Sequence, residues 1–114
     1  MTKIVINVDY GGFGLSEEAM RLVLERKGLP YVQDEEKGIM SFFRNPNNKD
    51  EIYWEGDFAR DDEVLVKIVE ALTSERASGR FSSLKVVEIP DGVNWYVEEY
   101  DGREWVAERH RTWC

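Results

Sequence analysis

Residues 3–16, KIVINVDYGGFGLS, place a strand, a glycine-rich turn and the start of a helix in direct succession. The run Lys3–Val8 is apolar and rich in β-branched residues, which favours a strand that is covered on both faces. Three glycines in the next stretch permit backbone angles that other residues avoid, so the strand ends there. Ser16 is a typical helix N-cap, and the following pattern predicts a helix that runs to about Lys27 and stops at Gly28.

A second helix is predicted from about Glu63 to Ala77, with Asp61 or Asp62 as its N-cap. Its apolar residues recur every four positions, which is typical of a helix that packs one face on a sheet. The segment between the two helices is the least regular part of the chain. There we expect strands at Ile39–Phe43 and Glu51–Trp54, and we interpret the acidic run at 34–36 as a solvated loop.

The last third of the chain predicts a strand at Leu84–Ile89 and then a β-hairpin. Asp101-Gly102 between two aromatic and β-branched runs is a strong signal for a two-residue hairpin turn. That turn would pair Tyr100 with Arg103, Val97 with Val106 and Tyr96 with Ala107. Because both faces of this hairpin carry large apolar groups, we expect one face on the core and the other under a helix, the C-terminal segment or a second subunit.

These elements predict an α+β fold. We expect a mixed sheet of about five strands with two helices packed on it and a C-terminal β-hairpin, all in one domain over residues 1–114.

Charge and composition exclude several classes of function. The chain has 15 Lys and Arg against 23 Asp and Glu, a net charge of -8, which disfavours extended nucleic acid and anionic membranes as partners. A single Cys and a single His exclude a disulfide framework and a Cys-rich or multi-His metal site, so we expect no metal and no cofactor. No apolar run is long enough for a signal peptide or a membrane span, and a cytoplasmic protein is the expectation.

The acid is unevenly distributed along the chain. Residues 34–59 and 81–108 hold most of the excess, whereas residues 109–114 contain two Arg and no acid. The net charge therefore disfavours a large polyanion but is compatible with a small phosphate-bearing ligand held at a local cluster of positive charge.

The glycine-rich turn is the first candidate binding element. Backbone amides of Gly11 and Gly12, beside Tyr10 and Phe13, could hold an anion where a strand leads into a helix. The spacing matches neither the dinucleotide fingerprint nor the phosphate-binding P-loop. The alternative is a tight structural turn in which Phe13 and Leu15 are buried, and this is the reading that the residues favour.

The C-terminal segment is the second candidate. The guanidiniums of Arg109 and Arg111 could pair with phosphate, and His110 or Trp113 could stack on a base. The alternative is that both arginines pair with acids of this same chain, and the sequence does not decide between the two.

Catalysis is the weaker interpretation, and we identify no catalytic residue. His110 has no nucleophile in a recognisable context, and Glu98 and Glu99 point to opposite faces of a strand.

Two stretches, Lys3–Asn7 and Tyr10–Ser16, resemble the opening of a family of short proteins encoded by bacteriophages and prophages. The same family is resembled by the stretches at 60–62, 64–66, 84–91 and 98–113. In that family a Cys often precedes the Tyr-Gly-Gly motif, whereas this chain has Asp9. The resemblance implies a small cytoplasmic phage accessory protein that acts by binding, and it carries no catalytic assignment.

We therefore hypothesise a non-enzymatic phage counter-defence protein that binds and sequesters a small nucleotide-derived signalling molecule of host antiviral immunity. The pocket would be shared between the subunits of a homo-oligomer. Its residues would be the stacking Tyr10 and Trp113, the amides of Gly11 and Gly12, and the phosphate-binding Arg109 and Arg111. One alternative is an acidic inhibitor of a host protein that binds nucleic acid or acts in defence. A second is a small nucleotide-processing hydrolase that uses His110.

Overall fold

A computed structural model of the chain describes residues 1–36, 39–45 and 48–109. Two helices and seven strands follow one another in this part of the chain. They are β1 (Thr2–Asn7), α1 (Glu17–Arg26), β2 (Val32–Glu36), β3 (Ile39–Asn45), β4 (Asn48–Ile52), a 3-10 turn (Glu55–Asp57), α2 (Glu63–Ala77), β5 (Leu84–Ile89), β6 (Trp95–Tyr100) and β7 (Arg103–Glu108).

The strands form three small sheets and not one, so the prediction of a single mixed sheet of about five strands is wrong. The sheets are β1–β5, β2–β3–β4 and β6–β7, and every pairing among the described residues is antiparallel. The α+β class itself is consistent with the structure. The C-terminal hairpin does not join the first sheet because the backbone carbonyl of Arg60 and the side chains of Arg60 and Glu104, rather than a third strand, occupy the free edge of β1.

Both helix starts follow from local hydrogen bonds. The Ser16 hydroxyl accepts from the Ala19 N–H at 3.0 Å, as its N-cap role predicts. Of the two candidate caps for α2, Asp62 is the one used: its carboxylate accepts from the N–H groups of Val64 and Leu65 at 2.9 and 3.2 Å. These bonds satisfy amides that have no partner inside the helix, and they fix where each helix begins.

Asp62 also pairs with Lys27 at the end of α1, which joins the two helices. Burial raises the pKa of the Asp62 carboxyl, but the bond from Lys27 and the two backbone N–H groups outweigh burial and hold that pKa below its ordinary value. The same helix α2 contains a local irregularity at Thr73, whose φ of 69° and ψ of 166° lie outside the helical region.

The hydrophobic core lies between the helices and one face of the β1–β5 sheet. Val5 of β1 and Leu84 of β5 contribute from the sheet. The helices contribute Val23 and Leu24 from α1 and Leu65 from α2, all fully buried. Side chains on a strand alternate between faces, so Ile6, Val87 and Ile89 lie on the opposite face of this sheet, away from the helices.

The segment between the helices is more regular than the sequence indicates. Residues 34–36 belong to β2, so the interpretation of this acidic run as a loop is wrong. The strand β3 extends two residues beyond the predicted Phe43, and Trp54 lies outside β4. Phe42 and Tyr53 are buried in the main core and anchor this sheet to the rest of the protein.

The predicted hairpin is confirmed in its register. Tyr100 pairs with Arg103, and Val97 and Tyr96 pair with Val106 and Ala107 as the two-residue turn requires. Asp101 and Gly102 both have positive φ, 52° and 88°, as in the type I′ turn that matches the twist of paired strands. The expectation that one apolar face would join the core is wrong, because no hairpin side chain belongs to the described core cluster.

Within the described residues, no helix is long and apolar enough to span a membrane.

Candidate functional site

The site is built around the outer edge of β1, the edge that does not pair with β5. The Val5 N–H donates to the Arg60 carbonyl at 2.8 Å, and the Arg60 guanidinium donates back to the Val5 carbonyl at 3.3 Å. The Asn7 N–H donates to the Glu104 carboxylate at 2.8 Å. Backbone groups that would otherwise recruit another strand are thus satisfied.

Arg60 and Glu104 also bind each other. Nη1 and Nη2 of Arg60 donate to Oε1 and Oε2 of Glu104 at 2.6 and 2.8 Å, and Glu104 is only 7 % exposed. The guanidinium lies 3.7 Å from the centre of the Phe13 ring. Since bidentate pairs of this kind are strong and geometrically specific, they fix the hairpin and the glycine-rich turn against β1.

The Asn7 side chain joins the same elements. It is fully buried, and its Nδ2 donates to the carbonyls of Asp9 and Gly102, both at 2.8 Å. Its Oδ1 accepts from the N–H groups of Ser83 and Asp9 at 2.8 and 3.2 Å. One amide therefore links the end of β1, the start of β5 and the hairpin turn.

The glycine-rich turn packs too closely for larger residues. A Cβ on Gly102 would lie 2.4 Å from the Gly12 nitrogen and 2.7 Å from the Gly11 nitrogen, and a Cβ on Gly11 would lie 2.4 Å from the Phe81 carbonyl oxygen. Leu15 is buried in the core, and Phe13 is covered by Arg60. These contacts support the structural interpretation of the glycines, which is close packing of backbone on backbone.

A groove lies between the hairpin and the face of the β1–β5 sheet that the helices leave uncovered. We call it the hairpin groove, and its volume is about 660 Å³, within the usual range for small-molecule sites. It is lined by Ile6, Val8, Tyr10, Lys85, Val87, Ile89, Tyr100, Arg103, Glu104, Trp105 and Val106.

The hairpin groove concentrates exposed apolar groups. Of the eight large apolar side chains that are exposed in the described part of the chain, four line it: Val8, Tyr10, Tyr100 and Trp105. Tyr100 is 72 % exposed and Tyr10 58 %. A cluster of exposed aromatic groups in one concave surface marks an interaction site more often than scattered apolar residues do.

The groove also concentrates positive charge. Lys85 and Arg103 are the only basic residues between positions 81 and 108, which contain seven acids, and both line the groove. Neither forms an ion pair within residues 1–36, 39–45 and 48–109, whereas the groove's one carboxylate, Glu104, is already bound by Arg60. The groove therefore offers aromatic walls and two free positive charges.

The structure separates the residues that the sequence singles out as ligand-binding. Tyr10 lines the hairpin groove, and Gly11 and Gly12 lie beside it at the hairpin turn. Arg109 lies at the opposite end of the hairpin, where its N–H donates to the Asn94 carbonyl at 2.7 Å and its guanidinium covers the Tyr96 ring at 4.8 Å. His110, Arg111 and Trp113 fall outside the described residues.

Sequence reasoning missed four residues of the groove, namely Lys85, Tyr100, Arg103 and Trp105. The available signal was the isolation of Lys85 and Arg103 in an otherwise acidic region. Two such charges become a site only when the β1–β5 sheet and the hairpin line one groove, which the sequence does not indicate.

Within the described residues, no group of three His, Cys, Asp or Glu side chains is arranged to hold a metal ion. In comparisons with known proteins, no family model, no curated protein and no solved structure matches the chain.

Proposed function

We propose that this chain is a non-enzymatic binding protein whose hairpin groove holds a small, planar, phosphate-bearing ligand of the nucleotide type. The observation that carries the proposal is the convergence of three aromatic side chains, Tyr10, Tyr100 and Trp105, with two cations in one groove. These cations, Lys85 and Arg103, form no ion pair with any residue that the structure describes.

The chemistry of a nucleotide matches both parts of this groove. Stacking of a base on an aromatic side chain contributes about 1–3 kcal/mol, and it requires exposed rings such as Tyr10 and Tyr100. Arg and Lys bind phosphate oxygens by charge-assisted hydrogen bonds. Glu104 faces the same groove, but Arg60 holds it, so it does not compete with a phosphate for the two free cations.

The surrounding charge sets the size of the ligand. The protein carries a net charge of -8, and acids outnumber bases seven to two between positions 81 and 108. An extended polyanion would meet this negative field beyond the groove, whereas a mononucleotide or dinucleotide would stay within reach of the two cations.

The resemblance to short phage proteins supplies the biological setting of the proposal. A protein that holds a nucleotide signal without converting it lowers the free concentration of that signal. The function that follows is counter-defence in the host cytoplasm, by sequestration of a nucleotide-derived messenger of antiviral immunity. A homo-oligomer whose subunits share the pocket is part of the same proposal.

A melting-temperature screen tests the proposal. Cyclic and linear nucleotides are added to the protein, and a true ligand at a hundredfold excess over its dissociation constant stabilises the native state by about 2.7 kcal/mol. Chromatography of the recovered ligand should show it unchanged. A chemically altered ligand would contradict the non-enzymatic part of the proposal.

Matched variants locate the binding site. Lys85→Gln and Arg103→Gln should each weaken binding by about tenfold, the loss of one charge-assisted contact. Arg80→Gln is the control, because Arg80 is also exposed but lies outside the hairpin groove. Equal affinity of all three variants for the nucleotide would place its site elsewhere.

A second candidate function is inhibition of a basic host protein. It is favoured by the acids Glu98, Glu99, Asp101 and Glu108, all exposed on the hairpin. Retention of one basic host protein by the wild type, and its loss in the double variant Glu98→Lys/Glu99→Lys, would support this function. Binding that is unaffected by the double variant would contradict a role for this surface.

A further inference from the structure

The outer edge of β5 carries backbone groups that point away from the protein. The Val8 N–H donates to the Ser83 carbonyl at 2.9 Å, in the same register that pairs Ile6 with Lys85. Since consecutive residues of a strand direct their N–H and C=O groups to alternate sides, Lys85 and Val87 bond to β1. The backbone N–H and C=O groups of Leu84, Val86 and Glu88 therefore point outwards, away from β1.

Within the described part of the chain, Leu84 is the one outward residue of these three whose backbone has a hydrogen-bond partner on this side. The Leu84 N–H donates to the Ser78 hydroxyl at 2.9 Å. For the N–H and C=O groups of Val86 and Glu88, the residues that the structure describes provide no hydrogen bond.

The outer edges of β1 and β5 thus differ in how far their backbone hydrogen bonds are satisfied. Arg60 and Glu104 occupy the edge of β1 at Val5 and Asn7, as described above, so β5 is the more open edge for an added strand. A sheet of two strands gains stability from each strand added, and an unpaired edge is a template for such addition.

We propose that the outer edge of β5 binds an extended segment of a partner protein as an added antiparallel strand. The charges beside this edge define the chemistry of that segment. Lys85 and Glu88 are both exposed and lie on opposite faces of the sheet, so the added strand would carry an acidic residue opposite Lys85 and a basic residue opposite Glu88. Apolar residues would stand opposite Val86 and Val87.

A second copy of this chain satisfies the pattern poorly. In an antiparallel pair of strands, two opposed residues direct their backbone N–H and C=O groups either both towards the partner strand or both away from it. A symmetric pairing of two β5 edges therefore sets one residue against itself. With Val86 opposite Val86, for example, Lys85 lies opposite Val87 and Leu84 opposite Glu88. No symmetric register places Lys85 opposite Glu88, so a different protein is the better occupant.

The proposal uses backbone groups and does not rest on the ligand of the hairpin groove. The probe is an acetylated and amidated peptide, Thr-Ile-Arg-Ile-Ile-Asp-Ile-Thr, which supplies both charges in antiparallel order and does not copy the sequence of β5. With the peptide in excess, hydrogen exchange measured by NMR should slow by about tenfold at the Val86 and Glu88 amides. The Lys85 and Val87 amides, already bonded to β1, should change little.

Variants of one edge residue separate backbone pairing from side-chain contact. Glu88→Pro removes the outward N–H and should weaken peptide binding by about tenfold, whereas Glu88→Ala keeps it and should stay within about threefold of the wild type. If Glu88→Pro does not fold, the exchange pattern of the wild type decides the question. The charge-swapped peptide, Thr-Ile-Asp-Ile-Ile-Arg-Ile-Thr, should bind more weakly.

Three results would overturn the proposal. The first is unchanged exchange at Val86 and Glu88 in the presence of saturating peptide. The second is tighter binding of the charge-swapped peptide, which would contradict antiparallel pairing of the added strand with β5. The third is protection of both amides without peptide that increases with protein concentration, since a second copy would then occupy the edge.

Discussion

The guanidinium of Arg60 and the carboxylate of Glu104 form two parallel hydrogen bonds, at 2.6 and 2.8 Å, although they lie 44 positions apart in the sequence. The same two side chains occupy the free edge of β1 through Val5 and Asn7. Together with the bond from Asn7 to the Gly102 carbonyl, this ion pair therefore fixes the position of the hairpin and one wall of the hairpin groove.

Glu104→Gln should lower the free energy of unfolding by about 3 kcal/mol, because it leaves the mostly buried Arg60 charge without a counter-charge. Urea denaturation followed by circular dichroism measures the change. Glu108→Gln, an exposed position on the same strand, is the control and should shift stability by less than about 0.5 kcal/mol. Similar losses in the two variants would contradict a structural role for the pair.

Gly102→Ala should destabilise the protein more than Gly92→Ala. Both glycines have positive φ, 88° and 83°, so each Ala carries a backbone cost of about 1–2 kcal/mol. Only the Cβ at position 102 meets other atoms, those of Gly11 and Gly12, and this adds about 1–3 kcal/mol. Thermal unfolding of both variants gives the difference, and equal melting temperatures would show that the turn does not pack against the glycine-rich segment.

Removal of the Asp62 charge should change how stability depends on pH. The pKa of Asp62 is lowered in the folded protein, so its charge stabilises the fold above the unfolded-state value of about 3.9 and this contribution is lost as pH falls through the folded-state pKa. Asp62→Asn keeps a capping oxygen but cannot titrate.

The stability difference between wild type and Asp62→Asn should be constant near neutral pH and shrink below about pH 4. Denaturation in urea at a series of pH values measures it. Asp62→Ala also removes the cap and should cost about 1 kcal/mol more across the range. If the stability difference between wild type and Asp62→Asn grew on acidification, it would contradict a pKa of Asp62 that folding lowers.

Thr73→Gly should stabilise the protein relative to Thr73→Ala, by about 1 kcal/mol. Thr73 is exposed and has φ 69° and ψ 166°, a region that glycine reaches without strain. In a regular helix the order would be reversed, since Gly is about 1 kcal/mol worse than Ala there. The sign of the difference in melting temperature therefore tests whether α2 is interrupted at this residue.

Local signals in the sequence predicted local structure well. The Asp101-Gly102 turn gave the hairpin register, and the hydroxyl and carboxyl caps gave the starts of both helices. Each depends on residues within a few positions of one another. The strand at 34–36 was missed for the same reason, because three consecutive acids favour a loop and only pairing with β3 makes them a strand.

Long-range relationships were not predictable in this way. Charged residues such as Arg60 and Glu104 are mostly found on surfaces, and only the folded chain shows that they pair and replace a strand partner. The hairpin groove was missed because Lys85 and Tyr100 belong to different sheets. Tyr10 lines the hairpin groove, but the sequence analysis placed it in one site with Arg109, which lies at the far end of the hairpin.

The pairing of β1 with β5 has a consequence for synthesis. Residues 2–7 leave the ribosome long before residues 84–89, and at ordinary translation rates the interval is on the order of ten seconds. During that time Ile4, Val5 and Ile6 have no strand beside them. Arg60 is made only in the later part of this interval, and Glu104 follows after β5. The nascent chain must therefore keep this apolar strand from aggregating until residues 84–89 have been made.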